Sequence, residues 1–277
     1  MFSPEELSAL YLSAKVAGFA TLFCLPFAVA LAWVLARYEF RLKFIVEALL
    51  QLPMVLPPVV LGYLLLVLFG NQGLIGQYLN ALGIQLAFNW KGAVLASMIV
   101  AFPLMVQPIR LSFQLMNQQL EQIAGSLGAA PWKVFLSINL PLAIPGIVIG
   151  SILCFSRSLG EFGATITFVG NIPDETRTIP IAIYSLLQQP NGEEMAMRLV
   201  ALSLVLAFSA LIANYFILQK YQQFFQLHKD VDQQFPSLHN VVQRRNLLQL
   251  AFPRASVLDH LLQPIRVFLR LIRDYLQ

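Results

Sequence analysis

Charge is scarce in this chain. Asp, Glu, Lys and Arg make up 12% of its 277 residues, against about a quarter in a typical soluble domain. With 58% hydrophobic residues and a mean hydropathy of +0.70, the composition excludes an ordinary soluble core, because the apolar residues fall in long runs instead of alternating with polar ones. Cysteine is nearly absent as well. Cys24 and Cys154 each lie inside an apolar run; with no CxxC spacing and no His cluster, they read as small hydrophobes and not as a disulfide or a metal site. Signatures of catalysis are missing too. There is no phosphate-binding P-loop, no HExxH and no pair of aqueous carboxylates, so we expect no enzyme activity, no cofactor in this chain and no metal. Energy for any pumping must come from another subunit. The opening residues, MFSPEELSAL, hold two acids and no base, unlike a cleaved secretory signal, so the first apolar run is expected to be retained. The net charge of +4 raises the question of nucleic acid, but eight of the eighteen Lys and Arg lie in 220–277. A basic segment beyond the last apolar run points to anionic lipid instead.

What the chain does have is a series of apolar runs. A helix crossing the hydrocarbon core needs about 20 apolar residues, and the segments 9–36, 44–69, 91–112, 141–159 and 196–219 meet or approach that length. The expected fold class is therefore an all-α polytopic membrane protein, with a transmembrane domain over 1–220 and a tail over 221–277. Prolines at 53, 57, 58, 103, 108, 141 and 145 would break soluble helices, but in a membrane bundle they are tolerated as kinks. Lys15, near the outer end of the first run, can reach the headgroups. Orientation follows from the basic residues of short loops. Arg37, Arg41 and Lys43 place the first loop in the cytoplasm, 70–90 has no base and belongs outside, and Lys133 returns 113–140 to the inside. The N-terminus is then outside and the C-terminus cytoplasmic. Between 160 and 195, TITFVG and IPIAIYSLL are apolar but too short to cross, and read as a re-entrant or surface-lying piece.

One segment is polar and punctuated by glycine: EQIAGSLGAAPWKVFLSINLP, Glu121 to Pro141. Gln118, Gln119, Glu121, Gln122 and Ser126 alternate with Leu120, Ile123, Ala124 and Leu127 at helical spacing. Gly128 permits a sharp turn, and Pro131 suits the first position of a second short helix. The result is a helix–Gly–helix hairpin over 117–140 that presents small residues and one acid outward, with Trp132 and Phe135 available as anchors for a partner's groove. Composition alone also allows a helix lying on the membrane with no partner.

This segment resembles the EAA loop of ABC-importer permeases, the coupling segment that inserts into a cleft of the ATP-binding subunit. The family pattern places a Gly, then after nine residues an Ile, any residue, a Leu and a Pro. Here those are Gly128, Ile138, Leu140 and Pro141, with Ala124 at an upstream alanine position. Gln122 stands where the general pattern has Glu, and an acid sits one residue earlier at Glu121, so either side chain is a candidate to face the partner. The similarity extends over about 10–220. LPMVLPPVVLGYLLL (52–66), FPLMVQPIRL (102–111) and SRSLGEFGATITFVGNIPDETRTIPIAIY (156–184) resemble molybdate importer permeases first and sulfate or tungstate permeases second. The resemblance implies a homodimer, two cytoplasmic ATPases that carry the Mg-ATP, and a periplasmic protein that delivers the oxyanion.

Arg157 and Glu161 stand four apart and can pair on one helix face. Charges at membrane depth usually face a bundle interior or a water-filled cavity, so the two either line or gate an anion path, or lock each other as a structural pair. Ser158, Thr165 and Thr167 can offer hydroxyls to a passing oxyanion or bond back to their own helix. The turn NIPDETRTIP, 171–180, places Asn171, Asp174, Glu175 and Arg177 on an outer rim that could meet the binding protein. In the tail, Val257 to Leu276 carry an apolar stripe at helical spacing with Arg266, Arg270 and Arg273 off it, the pattern of a basic amphipathic helix or of an extension with no selected role. A stand-alone channel or secondary transporter is the rival reading. It would need a titratable cluster near mid-membrane, and Glu47 and Glu161 both flank helix ends.

Overall fold

The computed structural model describes residues 3–116, 118–126, 128–190 and 192–233. Among them every regular element is a helix. The chain divides into one unit over Met1–Lys220 and another over Tyr221–Gln277. In the second unit only the helical stretch to Gln233 is described, so the expected amphipathic helix of the tail lies outside the described residues.

The first helix, α1 (Pro4–Arg37), begins early because its start is well capped. Ser3 Oγ accepts from the Glu6 N–H at 3.2 Å, and Glu6 Oε2 accepts in return from the Ser3 N–H at 2.7 Å. This reciprocal box satisfies two of the donors that a helix start leaves free. Along one face of α1 run Ala17, Ala20, Cys24, Ala28, Ala32 and Leu35, all fully buried. Lipid tails are as apolar as leucine, so helices in a membrane associate through close contact more than through water exclusion. A stripe of small residues supplies that closeness to α5 (Trp90–Leu115), which packs along α1.

A bent pair follows α1. Helices α2 (Lys43–Val55) and α3 (Pro58–Phe69) meet at an angle of 112°. The break falls at Leu56 and Pro57, where Pro57 and Pro58 remove two successive backbone donors. The segment 44–69, read from sequence as one run, is thus two helices that reach membrane-crossing length only together. After α4 (Gly76–Ala81), α5 leads to the short α6 (Gln118–Ser126) and α7 (Pro131–Val134). A π-turn over Phe135–Asn139 joins α7 to α8 (Leu140–Leu159). Its signature is the Leu140 N–H donating to the Phe135 carbonyl, and the wider turn precedes Pro141, which cannot donate to the helical ladder.

Helix α8 meets α5 through a small-xxx-small pair. A Cβ on Gly150 would stand 2.6 Å from the Met105 carbonyl, and one on Gly146 would collide with Ser112, so glycine is what lets the two backbones touch. Then come α9 (Gly163–Val169), α10 (Ile179–Leu187) and α11 (Glu193–Gln233). Among the described residues four stretches are long and apolar enough to cross a membrane: Pro4–Arg37, Trp90–Leu115, Pro131–Leu159 and Glu193–Ala213; the bent pair makes up to five. The expected all-α polytopic class is what the chain adopts.

Among the described residues a smaller apolar core joins Ala9 to Ile179, Ala182 and Leu199, and two larger ones stack along α1. The one near its start joins Leu12, Val16 and Ala20 to Leu61 and Leu65 of α3, Ala93 and Val94 of α5, and Ala164 and Phe168 of α9. The one near its end joins Ala28, Ala32 and Leu35 to Leu50 of α2, Met105, Ile109 and Phe113 of α5, and Ala143 and Cys154 of α8. At 34 residues and about 1.5 Å per residue, α1 separates its two ends by roughly 50 Å.

Candidate functional site

At the Arg37 end of α1 sits the glycine-punctuated hairpin. Helix α6 stops in a Schellman motif: the Gly128 N–H donates to the Gly125 carbonyl at 3.0 Å, and the Ala129 N–H to the Ala124 carbonyl at 3.0 Å. Gly128 occupies φ +85°, and a Cβ placed there meets nothing within 4 Å. Glycine is therefore required by backbone conformation and not by crowding. The chain then enters α7 through Ala130, with Pro131 at the first helical position.

The hairpin has a held side and an open side. On the held side, Phe135 packs edge-on to Trp33 at 5.4 Å and stacks on Phe113 at 6.3 Å, while Val134 and Asn139 are buried. Arg37 of α1 forms an ion pair with Glu121 of α6. On the open side, Gln122, Gly128, Pro131 and Trp132 are exposed, with Trp132 at 62%. Ala124, Ile138 and Leu140 are half-buried, and Pro141 is exposed at the start of α8. Two sequence expectations are corrected here. The acid of the hairpin turns back to the bundle and Gln122 faces outward, and of the two aromatic anchors only Trp132 is available to a partner. Neither could be read locally, because Arg37 lies 84 residues before Glu121. The one local signal is a basic residue at the end of an apolar run, which by itself speaks only to orientation.

The second constellation lies where α8 ends. Arg157 Nη1 stands 2.7 Å from Glu161 Oε2, with the Arg157 side chain 33% exposed and that of Glu161 1% exposed. Glu161 also caps α9, its Oε1 accepting from the Ala164 N–H at 2.8 Å. Thr165 Oγ1 donates to the Phe162 carbonyl at 2.9 Å and Thr167 Oγ1 to the Gly163 carbonyl at 2.7 Å, so both hydroxyls bond back within their own turn. Ser158 is buried. Helix α9 packs hard on α3: a Cβ on Gly62 would stand 2.5 Å from the Ala164 carbonyl and 2.8 Å from Thr167 Cβ. Arg157, Ser158, Glu161, Thr165 and Thr167 thus share one helix–turn–helix, with the turn closed by its own side chains.

The third is the 171–178 loop, which folds onto the start of α1. Ser8 Oγ donates to Asp174 Oδ1 at 2.6 Å, and Arg177 lies 3.7 Å from Glu5. Arg177 Nε donates to Asn171 Oδ1 at 2.9 Å, and Asn171 Nδ2 to Ser185 Oγ at 2.6 Å. Asp174 holds φ +61°. Below it the Ile179 N–H donates to Ser13 Oγ at 2.8 Å, and buried Glu6 faces Arg198 of α11 at 3.4 Å. Asn171 and Asp174 are exposed, and Glu175 and Arg177 half-buried. The rim itself is legible in the sequence, but Glu5, Ser8 and Ser13 beneath it are not, since no local pattern links residues 166 apart. Among the described residues no group of His, Cys, Asp and Glu is placed to hold a metal.

The chain matches a family model described as a binding-protein-dependent transport system inner membrane component over residues 25–224. It is 53% identical over 215 residues to the molybdenum transport system permease protein ModB of Escherichia coli (strain K12), covering 77% of this chain and 94% of that protein. To the protein of the same name from Haemophilus influenzae it is 49% identical over 219 residues, 79% of this chain and 96% of the other. Its fold is similar to a solved bacterial ABC transporter involved in the import of the acidic polysaccharide alginate, with TM-score 0.64 over 79% of this chain and 80% of that one. At 17% identity that likeness speaks for the fold alone.

Proposed function

The chain belongs to the binding-protein-dependent transport system inner membrane components, and we propose that it is the translocation subunit of an ATP-driven importer of molybdate. The observation that carries this reading is the hairpin with an open face, Gln122, Gly128, Pro131 and Trp132, at one end of the bundle, in a chain about half identical to molybdenum permeases along nearly their whole length. An exposed tryptophan on a short helix, seated on a rigid base of Phe135, Trp33 and Phe113, suits insertion into a partner's groove.

In this reading two copies of the chain form a homodimer, and each hairpin docks on one cytoplasmic ATPase subunit that holds the Mg-ATP. The Arg37 end is then cytoplasmic and the Glu5 end periplasmic, the orientation that the loop charges favour. Closure of the ATPases moves the hairpins, and Ile138, Leu140 and Pro141 pass the displacement into α8. A periplasmic oxyanion-binding protein docks on the rim of Asn171, Asp174, Glu175 and Arg177. Where α8 turns into α9, Arg157 is largely neutralised by Glu161, so the turn attracts an anion weakly. Weak holding suits a path that must also release its cargo. Residues 1–220 form the permease domain, and the tail over 221–277 serves as a cytoplasmic extension.

ATP hydrolysis by proteoliposomes of this chain, co-expressed with an ATPase subunit, tests the proposal. Binding protein loaded with molybdate or tungstate should stimulate hydrolysis, and sulfate-loaded protein should not. Equal stimulation by sulfate would move the substrate to the wider oxyanion class. Failure of any ATPase subunit to co-purify would sink the importer reading in favour of a channel.

A further inference from the structure

Arg37 closes the last turn of α1 with its side chain only 8% exposed. A guanidinium does not give up its proton, and a buried charge needs an opposite charge beside it. Its partner is Glu121, in the first turn of α6. Among the described residues Arg37 Nε has no hydrogen-bond partner, and the pair with Glu121 is the contact that balances the charge. The helix it ends is rigid there: Cys24, Ala28, Ala32 and Leu35 are fully buried against α5 and α8. Helix α6, by contrast, is a short element with an exposed outer face.

We propose that Arg37 is a positioning residue for coupling: its pair with Glu121 ties α6 to the rigid lower half of α1, so that a partner pulling the hairpin moves α1 with it. This rests on the reading of the hairpin as the ATPase-docking element. Without the pair, the first turn of α6 is no longer fixed to the end of α1 through Glu121. The hairpin would then still dock, held from below by Phe135 on Trp33 and Phe113, while α6 lost its own link to the end of α1. Transport and hydrolysis would come apart.

The experiment reconstitutes the full chain with its ATPase subunit and loaded binding protein, and reads anion moved per ATP hydrolysed. Arg37→Glu should lower that ratio by about tenfold, within the 5–150-fold usual for coupling free energies, while the ATPase subunit still co-purifies. Adding Glu121→Arg should restore the ratio, because the swapped pair recreates the tie. An unchanged ratio in Arg37→Glu overturns the proposal. So does a reversed pair that folds, runs as a single species in detergent and still fails to recover.

A second measurement needs no partner. Spin labels on Arg41→Cys and Gly125→Cys, in a Cys24→Ala/Cys154→Ala background in lipid nanodiscs, report the distance between the turn that follows α1 and α6. Both label positions are exposed, and a Cβ at Gly125 meets nothing within 4 Å. The distance distribution should be narrow with Arg37 present, broad in Arg37→Glu and narrow again in the reversed pair. If no ATPase subunit ever joins the unaltered chain, the function reading fails while this series still supports the tie. A distribution indifferent to Arg37 overturns it.

Discussion

Two polar segments interrupt the apolar helices, 118–139 at the Arg37 end and 160–178 toward the Glu5 end, and they handle their polar groups in opposite ways. In the second, most polar side chains are engaged by the fold itself: Glu161 caps α9 and pairs with Arg157, Asp174 takes Ser8, Arg177 takes Glu5 and Asn171, and two threonines bond back to their own turns. In the first, an ion pair and an aromatic cluster hold the inner side, and Gln122, Pro131 and Trp132 are left exposed. A segment that satisfies itself is built to keep its shape. One that leaves a tryptophan 62% exposed is built to meet something, since large exposed aromatics flanked by polar residues mark interfaces.

The sharpest way to break this comparison is at Gly128. Gly128→Val forces a β-branched residue to φ +85°, a local strain of about 1–3 kcal/mol. The bundle should tolerate that, but the turn should not keep its path. The expected result is normal membrane insertion with loss of the ATPase subunit on co-purification. Gly128→Asn separates conformation from space, because asparagine accepts this backbone region yet still adds a side chain. If Asn retains the partner, the turn conformation is what matters; if it also loses the partner, the partner's surface comes within a side chain's width of Gly128.

A middle-sized effect is expected at Glu161. Removing one member of a buried pair leaves the other charge uncompensated, at about 3–5 kcal/mol. Because Arg157 keeps 33% exposure, Glu161→Gln should fall at the lower end, about 3 kcal/mol, read as a lowered midpoint of thermal unfolding in detergent. Glu121→Gln leaves Arg37, only 8% exposed, without its charge partner, and should cost at least as much, about 3 kcal/mol by the same test. A much smaller loss at Glu121 would mean that water reaches Arg37 once α6 is released, as an open hairpin allows.

How far the sequence foretold this follows from the range of each interaction. Long apolar runs announce α1, α5, α8 and the start of α11, because the thickness of a bilayer dictates their length. Pro57 and Pro58 signalled a break but not a bend of 112°, which depends on how α3 packs against α9. Arg157 and Glu161 could be paired from their spacing alone. Whether Glu121 or Gln122 faces outward could not be settled, since the deciding partner sits on another helix. The bracing of 171–178 was equally hidden: Glu5, Ser8 and Ser13 read as the ordinary start of a span. Local periodicity reaches along one helix, and these contacts join different ones.

The smallest effect should come from Asp174, and it tests the comparison where it is least secure. The residue is exposed and at φ +61°, yet its carboxylate is occupied by Ser8 at 2.6 Å. Asp174→Asn keeps an acceptor for Ser8 and tolerates the backbone, so stability should change by no more than about 0.5 kcal/mol. What changes is the charge presented to an approaching protein. A charge at the rim of an interface acts mainly on the encounter rate and is screened by salt. The concentration of loaded binding protein needed for half-maximal uptake should therefore rise about threefold at low ionic strength and recover at high salt. A rise that salt does not relieve would mean that Asp174 touches the binding protein directly. The second segment would then carry an open face of its own, and the contrast between the two ends would be one of degree.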